Sequence, residues 1–369
     1  MKKFVPLLIF LMMLFTGCHV ARYFFWNFAD VNDHTKFPFF RISPSPDAVD
    51  KFRLAEEDKF NAPLHFNGDE YIDLTAFLNA MNTTAFLILK RDTIIYEHYF
   101  EDYSDTSLLP SFSVTKSVVS ALTGIAVSDG LITSIEDPVS KYIPEMAENG
   151  FDTVSIRNLL NMRSGIKFSE GYFNPFGEMA KFYYGTNLRK YTLDLKVVNQ
   201  PGRQYIYQSG NTQILAMILQ RVSGMNLARY LEEKIWKKAG MCRPATWNYD
   251  SDKHKMIKAF CCLNATARDF ARFGNLYVKN GSYEGRSVIP AEWIEQTMDN
   301  PTNSRDSRDY PYHFHWRVLE NRSLFAKGIL GQYILAVPEK DLVMLRFGRK
   351  DADLDWIKFM QYLQEHYAF

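Results

Sequence analysis

The chain has 369 residues, of which 47% are hydrophobic and 23% are charged. This composition is typical of globular proteins and excludes a disordered, collagen-like or coiled-coil chain. The 43 Lys and Arg residues nearly balance the 42 Asp and Glu residues, so the formal net charge is only +1. We therefore expect no surface that neutralises many phosphates and no nucleic acid partner.

The N-terminus has the pattern of an export signal. Lys2 and Lys3 precede an apolar run over residues 4–15, which is shorter than a membrane-spanning helix requires. The following Leu14-Phe15-Thr16-Gly17-Cys18 resembles a bacterial lipobox, which implies a lipoprotein signal over residues 1–17 and a lipid on Cys18. We therefore predict an exported, membrane-anchored lipoprotein that faces the periplasm or the cell exterior. Ordinary secretion and an uncleaved anchor are the alternatives.

The chain then contains an aromatic segment followed by β-rich and helical patterns. Residues 18–60 carry many aromatics and prolines and are interpreted as a tether and an arm packed on the body. Residues 83–90 and 93–100 are β-rich and flank Arg91-Asp92, which predicts a hairpin. Residues 114–129 have apolar side chains at helical spacing and end before Gly130, which predicts a strong helix.

Helical patterns dominate the middle of the chain and strands return near its end. We predict helices over residues 156–162, 212–222, 226–238, 266–277, 290–298 and 353–366, and strands over residues 313–319, 332–337 and 342–347. The fold class is α+β, with one antiparallel sheet built from both chain ends and flanked by helices. The predicted hydrolase domain spans residues 61–369, with an α/β lobe at 61–135 and 250–369 and an inserted, mostly helical lobe at 136–249.

The cysteines and histidines do not form a metal-binding pattern. Cys242, Cys261 and Cys262 have neither C-x-x-C nor Cys/His spacing, and adjacent cysteines rarely bridge. We therefore predict three small buried side chains without a disulfide. His313 and His315 alternate along a predicted strand and are interpreted as surface residues. Neither a metal nor a cofactor is expected, because the common phosphate-loop and zinc-protease motifs are also absent.

The motif S-x-x-K occurs twice, as Ser113-Val114-Thr115-Lys116 and as Ser164-Gly165-Ile166-Lys167. The second copy lies in a turn, which would not hold its serine and lysine together. Ser113 instead opens the most apolar helix, where positions three apart share a face. Free backbone N–H groups at this helix start could also bind an oxyanion.

Lys116 would lie beside the Ser113 hydroxyl and could take its proton if burial kept the amine neutral part of the time. A serine made nucleophilic by a lysine therefore belongs on a buried helix such as this one. The alternative is structural, with Ser113 as a helix cap and Lys116 as a solvated side chain.

Several segments in order resemble the serine β-lactamase and penicillin-binding-protein superfamily. Residues 110–117 resemble its nucleophile segment, and residues 156–165 resemble its LL-x-x-x-SG segment, which gives the second S-x-x-K a non-catalytic role. Tyr207-Gln208-Ser209 resembles the second catalytic element, Tyr-x-Asn or Tyr-x-Ser. The similarity covers about residues 65–369 and favours the class C-like branch, with family VIII carboxylesterases and 6-aminohexanoate-dimer hydrolases.

The resemblance implies a role for each matching residue. Ser113 would be the nucleophile, Lys116 would share or remove its proton, and Tyr207 would be the general base, with Tyr205 as the rival candidate. Ser209 would take the place often held by asparagine. A backbone N–H near Leu330 or Gly331 would be the second oxyanion donor.

Other family features are less well matched. The third element, Lys-Thr-Gly or His-x-Gly, has its nearest match at Lys327-Gly328, where Lys327 could serve only if the strand register shifts by one residue. Asn264 is a candidate substrate contact, with helix capping as the alternative. Tyr172, Tyr183 and Tyr184 lie in an aromatic segment that could cover the cleft or simply pack.

These features predict a serine hydrolase that cleaves an ester or amide bond of a small molecule or peptide through an acyl-enzyme on Ser113. One alternative is a D-amino-acid peptidase, carboxypeptidase or β-lactamase that uses the same site. Another is a binding protein of the same fold with an inactive site. The oligomeric state is not predicted.

Overall fold

The computed structural model describes residues 19–26, 28–46, 49, 52–56, 59–299, 304–367 and 369. The predicted signal and Cys18 lie outside these ranges. No helix within them is both long and apolar enough to cross a membrane. The described α-helices are α1 His19–Trp26, α2 Leu74–Ala80, α3 Thr115–Ser128, α4 Val139–Tyr142, α5 Ile156–Leu160, α6 Glu178–Tyr184, α7 Leu188–Leu193, α8 Ser209–Ser223, α9 Leu227–Leu231, α10 Ala267–Val278, α11 Ala291–Met298 and α12 Trp356–His366.

The strands form a large sheet, a smaller sheet and two short hairpins. They are β1 Phe39–Ile42, β2 Arg53–Leu54, β3 Leu64–Phe66, β4 Asp69–Tyr71, β5 Thr83–Lys90, β6 Thr93–Tyr99, β7 Leu109–Pro110, β8 Ala245–Asn248, β9 Leu263–Ala265, β10 Ser282–Tyr283, β11 Arg286–Ser287, β12 Tyr312–His313, β13 Trp316–Val318, β14 Leu324–Gly328, β15 Gln332–Val337 and β16 Leu342–Gly348. The α+β class is therefore confirmed.

The large sheet joins the two ends of the chain. Its strand order is β12-β13-β14-β15-β16-β5-β6-β2, and β16 pairs antiparallel with β5, with Leu345 opposite Leu87. The expectation of one sheet built from both chain ends is confirmed. Strand β2 adds one parallel pair at the edge. The β5–β6 hairpin turns at Arg91 and Asp92, which both have positive φ as a two-residue primed turn requires.

The two faces of this sheet carry separate hydrophobic cores. Successive residues of a strand point to opposite faces, so Ala326 of β14 packs into the core that contains helix α3, whereas Phe325 packs into the core under helix α12. Helix α3 is buried along nearly its whole length. It ends one residue before Asp129, and Gly130 follows with φ +72°. The predicted helix over 114–129 is thus present within one residue at each end.

A second sheet, in the order β1-β8-β9-β7, holds the segment that precedes Ser113. Strand β7 pairs with β9, and β9 pairs with β8. Strand β1 belongs to the N-terminal arm and pairs with β8. The sequence patterns did not predict this sheet because its strands have only two to four residues, too few for a periodic signal.

Two expectations for cysteine and histidine are wrong. Cys261 and Cys262 form a disulfide, because Cys262 adopts a left-handed conformation with φ +74° that turns the two side chains toward each other. Cys242 is a half-buried thiol. His313 and His315 are both buried. His315 lies in the turn between β12 and β13, so the two do not share a strand face.

Candidate active site

Ser113 and Lys116 lie together where the chain enters helix α3. Ser113 is in a single 3₁₀ turn, Phe112–Val114, and Lys116 is in the first turn of the helix that follows. Phe112 has φ +44°, so the chain turns sharply just before the serine. The Lys116 Nζ atom is 2.9 Å from the Ser113 Oγ atom and donates a hydrogen bond to it. The three-residue spacing therefore brings the amine and the hydroxyl into direct contact.

The amine of Lys116 is enclosed by protein. The residue is 1% exposed, and Nζ also donates a 2.9 Å hydrogen bond to the carbonyl oxygen of Phe260. No carboxylate among the described residues forms an ion pair with this amine. The interpretation of Lys116 as a solvated side chain does not fit this position.

The structure brings Tyr207, rather than Tyr205, next to the lysine. Tyr207 precedes helix α8, and its ring centroid is 5.0 Å from the Lys116 Nζ atom. Tyr205 instead packs against Tyr312, with ring centroids 5.2 Å apart. Its hydroxyl is buried without a hydrogen-bond partner among the described residues, and burial raises its pKa. Of the two tyrosines, Tyr207 therefore has its ring beside the amine of the Ser113–Lys116 pair.

A buried ion pair lies behind Tyr207. The Arg317 Nε atom is 2.6 Å from the Asp306 Oδ2 atom, and the guanidinium carbon is 5.9 Å from the centroid of the Tyr207 ring. Burial would raise the pKa of Asp306, but Arg317 and two backbone N–H groups hold that pKa below its usual range. Neither residue belongs to a recognisable motif, and only the folding of strand β13 places Arg317 near the site.

Replacement of Arg317 by methionine should destabilise the protein by about 3–5 kcal/mol, because it leaves the Asp306 carboxylate buried without its partner. Urea denaturation measures this loss. The exposed pair of Arg305 and Asp309 is the matched control, since Arg305→Met should cost less than about 1 kcal/mol. If the two variants lose equal stability, the buried Asp306–Arg317 pair does not stabilise the protein more than the exposed pair does.

The Asp306–Arg317 ion pair should also make the stability of the protein depend on pH. The folded-state pKa of Asp306 is lowered. The stabilisation of the fold by the Asp306–Arg317 ion pair is therefore complete above the pKa of an unfolded carboxyl group, about 3.9, and is lost as the pH falls through the lower folded-state pKa. The stability difference between wild type and Arg317→Met should therefore narrow at acidic pH.

His315 is buried next to helix α3 and forms several hydrogen bonds there. Burial, and then the positive charge of Lys116, lower the pKa of His315 to about 3. Its Nε2 atom is 3.1 Å from the Thr212 hydroxyl, and its Nδ1 atom is 3.3 Å from the Tyr312 hydroxyl. Its backbone carbonyl accepts a hydrogen bond from Ser117 in helix α3. The imidazole is uncharged at neutral pH and links helix α8 to strand β12, whereas the backbone carbonyl of His315 is bonded to helix α3.

Ser209 is at the site, but a glutamate holds it. Its hydroxyl donates to the Glu170 Oε1 atom at 2.6 Å, and its backbone N–H donates to Oε2 at 2.7 Å. Glu170 thus lies at the N-terminus of helix α8, where a negative charge is favourable. Glu170 is 39 residues away in the chain, so the local motif did not indicate it.

A cavity of about 240 Å³ opens onto the Ser113 side chain. Its lining is mostly aromatic and aliphatic, and Ser113, Ser209 and Cys261 are its small polar residues. The lining residues are Tyr23, Phe28, Ala29, Phe112, Ser113, Tyr172, Phe173, Met179, Ala180, Tyr183, Tyr184, Ser209, Phe260, Cys261, Ile329 and Leu330. The predicted aromatic segment does line the cleft, although Tyr183 and Tyr184 belong to helix α6. The contribution of the N-terminal arm through Tyr23 and Phe28 was not predicted.

The β14–β15 turn also borders the cavity. Ile329 and Leu330 line the cavity, and Leu330 has φ +64°. Gly331 lies outside the lining residues, where its carbonyl accepts a hydrogen bond from the Arg346 Nη1 atom at 2.7 Å. A Cβ atom at Gly331 would lie 1.9 Å from that same nitrogen, so only glycine fits. Ile329 and Leu330, rather than Gly331, are therefore the residues of this turn that border the cavity.

Lys327 does not point toward Ser113. Its Nζ atom is 3.0 Å from the Asp351 Oδ2 atom and lies 5.4 Å from the centroid of the Tyr333 ring. Tyr333 belongs to the core under helix α12, on the face opposite helix α3. The strand register therefore does not shift, and Lys327 is not placed as a cation of the cavity.

Two further sequence expectations can be compared with the structure. Asn264 lies in strand β9, outside the cavity lining, and its Nδ2 atom donates to Thr246 Oγ1 at 3.1 Å and Asn248 Oδ1 at 3.0 Å. It neither faces the cavity nor caps helix α10, because Thr266 is that N-cap. In the second S-x-x-K, Ser164 is buried whereas Lys167 is exposed, as expected for a turn.

No group of three or more His, Cys, Asp or Glu side chains within the described ranges could hold a metal ion. Ser113, Lys116 and Tyr207 contribute a hydroxyl, an amine and a phenol to the site. Together these groups can carry out nucleophilic acyl transfer.

Comparisons with known proteins agree with the resemblance inferred from the motifs. The family described as Beta-lactamase has a model that matches residues 74–353. A 6-aminohexanoate-dimer hydrolase of Paenarthrobacter ureafaciens is 26% identical over 295 residues, 74% of each chain. A D-aminopeptidase of Brucella anthropi is 28% identical over 177 residues, which cover 42% of this chain and 31% of that protein.

Solved structures show the same fold. A proposed 6-aminohexanoate-dimer hydrolase from Bacillus anthracis has a TM-score of 0.81 and 22% identity, with 96% of both chains covered. A class C β-lactamase has a TM-score of 0.59 and 14% identity, with 78% of this chain and 92% of that chain covered.

Proposed function

Because the chain belongs to the β-lactamase family, whose members are hydrolases, we propose that it is a serine hydrolase that forms an acyl-enzyme on Ser113. The observation that carries the proposal is the 2.9 Å contact between the Lys116 amine and the Ser113 hydroxyl. The contact lies at the edge of an apolar cavity, so a bound substrate would meet the hydroxyl directly.

The proposed reaction has two halves. In acylation, the Ser113 Oγ atom attacks the substrate carbonyl carbon while its proton passes to Lys116. Tyr207, beside the amine, relays a proton to the departing alcohol or amine, and the carbonyl–leaving-group bond breaks. In deacylation, a water molecule attacks the acyl carbon and gives up one proton to Lys116 or Tyr207. The bond between the acyl carbon and the Ser113 Oγ atom then breaks, Oγ takes up that proton, and the acid is released.

Backbone N–H groups would stabilise the oxyanion formed in both halves. We assign one donor to the backbone N–H of Ser113 and the second to the turn at Ile329 and Leu330, which also borders the cavity. Loss of one such donor typically costs about 10²–10³ in rate.

Ester or amide substrates with apolar groups fit the cavity best. None of the described residues that line it has a charged side chain, and Lys327 is bound to Asp351 on the other face of the sheet. A β-lactam or peptide carboxylate would therefore lack a cation there. The related hydrolase of Paenarthrobacter ureafaciens is named for the dimer of 6-aminohexanoate, which is consistent with amide cleavage by this arrangement.

A comparison of Tyr207→Phe with Tyr205→Phe tests the assignment of the proton carrier. We expect Tyr207→Phe to lower kcat for ethyl butyrate, whose alkoxide leaving group must be protonated, by about 10²–10³, because the relay hydroxyl is lost. Tyr205→Phe should stay within about threefold of wild type, because its buried hydroxyl has no partner to lose. If the two effects are reversed, Tyr205 carries the proton instead.

We also propose that the chain is exported and anchored through a lipid on Cys18. The support is the basic start, the apolar run over residues 4–15 and the lipobox-like Leu14 to Cys18. Cells fed a clickable fatty acid should label the wild-type protein and Cys242→Ala equally. Cys18→Ala should lose the label. Labelling that persists in Cys18→Ala would contradict the anchor.

A further inference from the structure

An aromatic surface next to the Ser113 cavity faces solvent. Phe24, Phe25, Phe28 and Phe173, which we call the aromatic rim, are between 49% and 82% exposed. Single exposed hydrophobic residues are common on soluble proteins, but a cluster of large aromatic rings marks an interaction surface.

Three of the four rings of the rim are connected to one another and reach the cavity. The rings of Phe28 and Phe173 lie edge to face with centroids 5.3 Å apart. Tyr23 contacts both Phe24 and Phe28, with centroid distances of 5.5 and 6.0 Å. Tyr23, Phe28 and Phe173 also line the cavity. One apolar surface therefore runs from the exposed face of helix α1 to the entrance above Ser113.

The arm that carries the rim is fixed to the body. Tyr23 donates a hydrogen bond to the backbone carbonyl of Tyr172 at 3.2 Å, and its ring lies 5.4 Å from that of Tyr184. Farther along the arm, the buried Lys258 amine lies 3.0 Å from the centroid of the Phe37 ring and donates to the carbonyl of Tyr183. The rim is thus held in a defined orientation relative to the active site.

The position of the rim in the chain indicates its partner. Helix α1 begins at His19, immediately after Cys18, and the apolar run over residues 4–15 precedes it. A helix rises about 1.5 Å per residue, so Phe24 and Phe25 lie within about 10 Å of His19 along the axis of helix α1. A bilayer that holds the predicted N-terminal anchor would be adjacent to the rim.

We propose that the aromatic rim docks on the phospholipid bilayer that holds the N-terminus and places the entrance of the Ser113 cavity at the lipid–water boundary. Phenylalanine side chains on a short amphipathic helix are suited to this interfacial position. The substrate implied is an amphiphilic ester or amide that reaches Ser113 from the bilayer. That last step rests on the proposed hydrolase function, whereas the docking does not.

Photo-crosslinking of the full chain tests the docking directly. A benzophenone amino acid is placed at position 24 or 25, and the protein is reconstituted in vesicles of phosphatidylethanolamine and phosphatidylglycerol. Position 72 is the matched control, because Ile72 is 81% exposed and Phe25 is 82% exposed, but Ile72 lines a different surface groove with Thr75 and His98.

We expect phospholipid adducts at positions 24 and 25 to exceed those at position 72 by about tenfold or more. Equal labelling at all three positions would overturn the proposal. Protein–protein adducts at positions 24 and 25 would also overturn the proposal, because they would identify a second copy of the chain as the partner. Recovery of the whole chain in the soluble fraction, without the vesicles, would overturn it as well.

A kinetic measurement separates docking from catalysis. In the same vesicles, Phe24→Ser/Phe25→Ser should lower turnover of a membrane-embedded p-nitrophenyl palmitate about tenfold, with soluble p-nitrophenyl acetate turnover within about twofold. Equal loss on both esters would contradict delivery from the bilayer. If wild type cleaves neither ester while positions 24 and 25 still crosslink to lipid, the docking stands and the hydrolase assignment fails.

Discussion

Ser113→Ala should lower the turnover of p-nitrophenyl butyrate by at least about 10³-fold, because the proposed reaction has no other nucleophile. The residual rate would come only from binding and backbone N–H groups. The substitution removes one hydroxyl, which accepts a hydrogen bond from the Lys116 amine, so the fold should persist. Steady-state kinetics together with the melting temperature measure the two effects separately.

Ser164→Ala is the matched control. It changes the serine of the second S-x-x-K, and the Ser164 hydroxyl is buried without a hydrogen-bond partner among the described residues. Its removal should leave kcat within about threefold of wild type. Wild-type turnover in folded Ser113→Ala would refute the assignment of the nucleophile.

Lys116→Met is expected to lower kcat by about 10³-fold or more, because methionine fills the same buried space but cannot accept the proton of Ser113. The carbonyl of Phe260 also loses its donor, which should cost about 1–3 kcal/mol of stability. Single-turnover kinetics should place the defect in acylation, as a slow burst of p-nitrophenol.

Lys167→Met is the corresponding control in the second motif. Lys167 is exposed, so its replacement should leave kcat within about threefold of wild type and the free energy of unfolding nearly unchanged. If Lys116→Met acylates at the wild-type rate, the amine has only a structural role and the proposed proton transfer is wrong.

The parts of the site that lie close together in the chain were predictable from sequence. Ser113 and Lys116 are three residues apart on a helix with strong apolar periodicity, and a helix brings such positions together. The β5–β6 hairpin was equally clear, because two β-rich runs flank the two turn residues. In both cases the local pattern and the final packing favour the same structure.

The parts that depend on distant segments were not predictable. Glu170 and Arg317 reach Ser209 and Tyr207 only after the loop before helix α6 and strand β13 are packed in place. The direction of Lys327 depended on strand register, which motif matching left open by one residue. A shift of one residue reverses the face on which a side chain lies, so sequence alone could not exclude Lys327.

The N-terminal arm and the disulfide were missed for other reasons. Strand β1 has four residues, and helix α1 has eight, so neither gives a periodic signal long enough to locate its packing partner. The Cys261–Cys262 bond requires the positive φ of Cys262, a backbone state that most residues avoid. Only the fold around the cavity reveals this conformation.

Detection of the acyl-enzyme by mass spectrometry is the direct test of whether Ser113 is the nucleophile. Wild-type protein is mixed with a small panel of esters, amides, penicillins and a fluorophosphonate, quenched in acid, and analysed by intact-protein and peptide mass spectrometry. We expect a covalent adduct on Ser113 with an ester or amide and with the fluorophosphonate, and we expect no adduct in Ser113→Ala. If folded wild-type protein gains no mass with any of these compounds, or gains it on another residue, Ser113 is not the nucleophile.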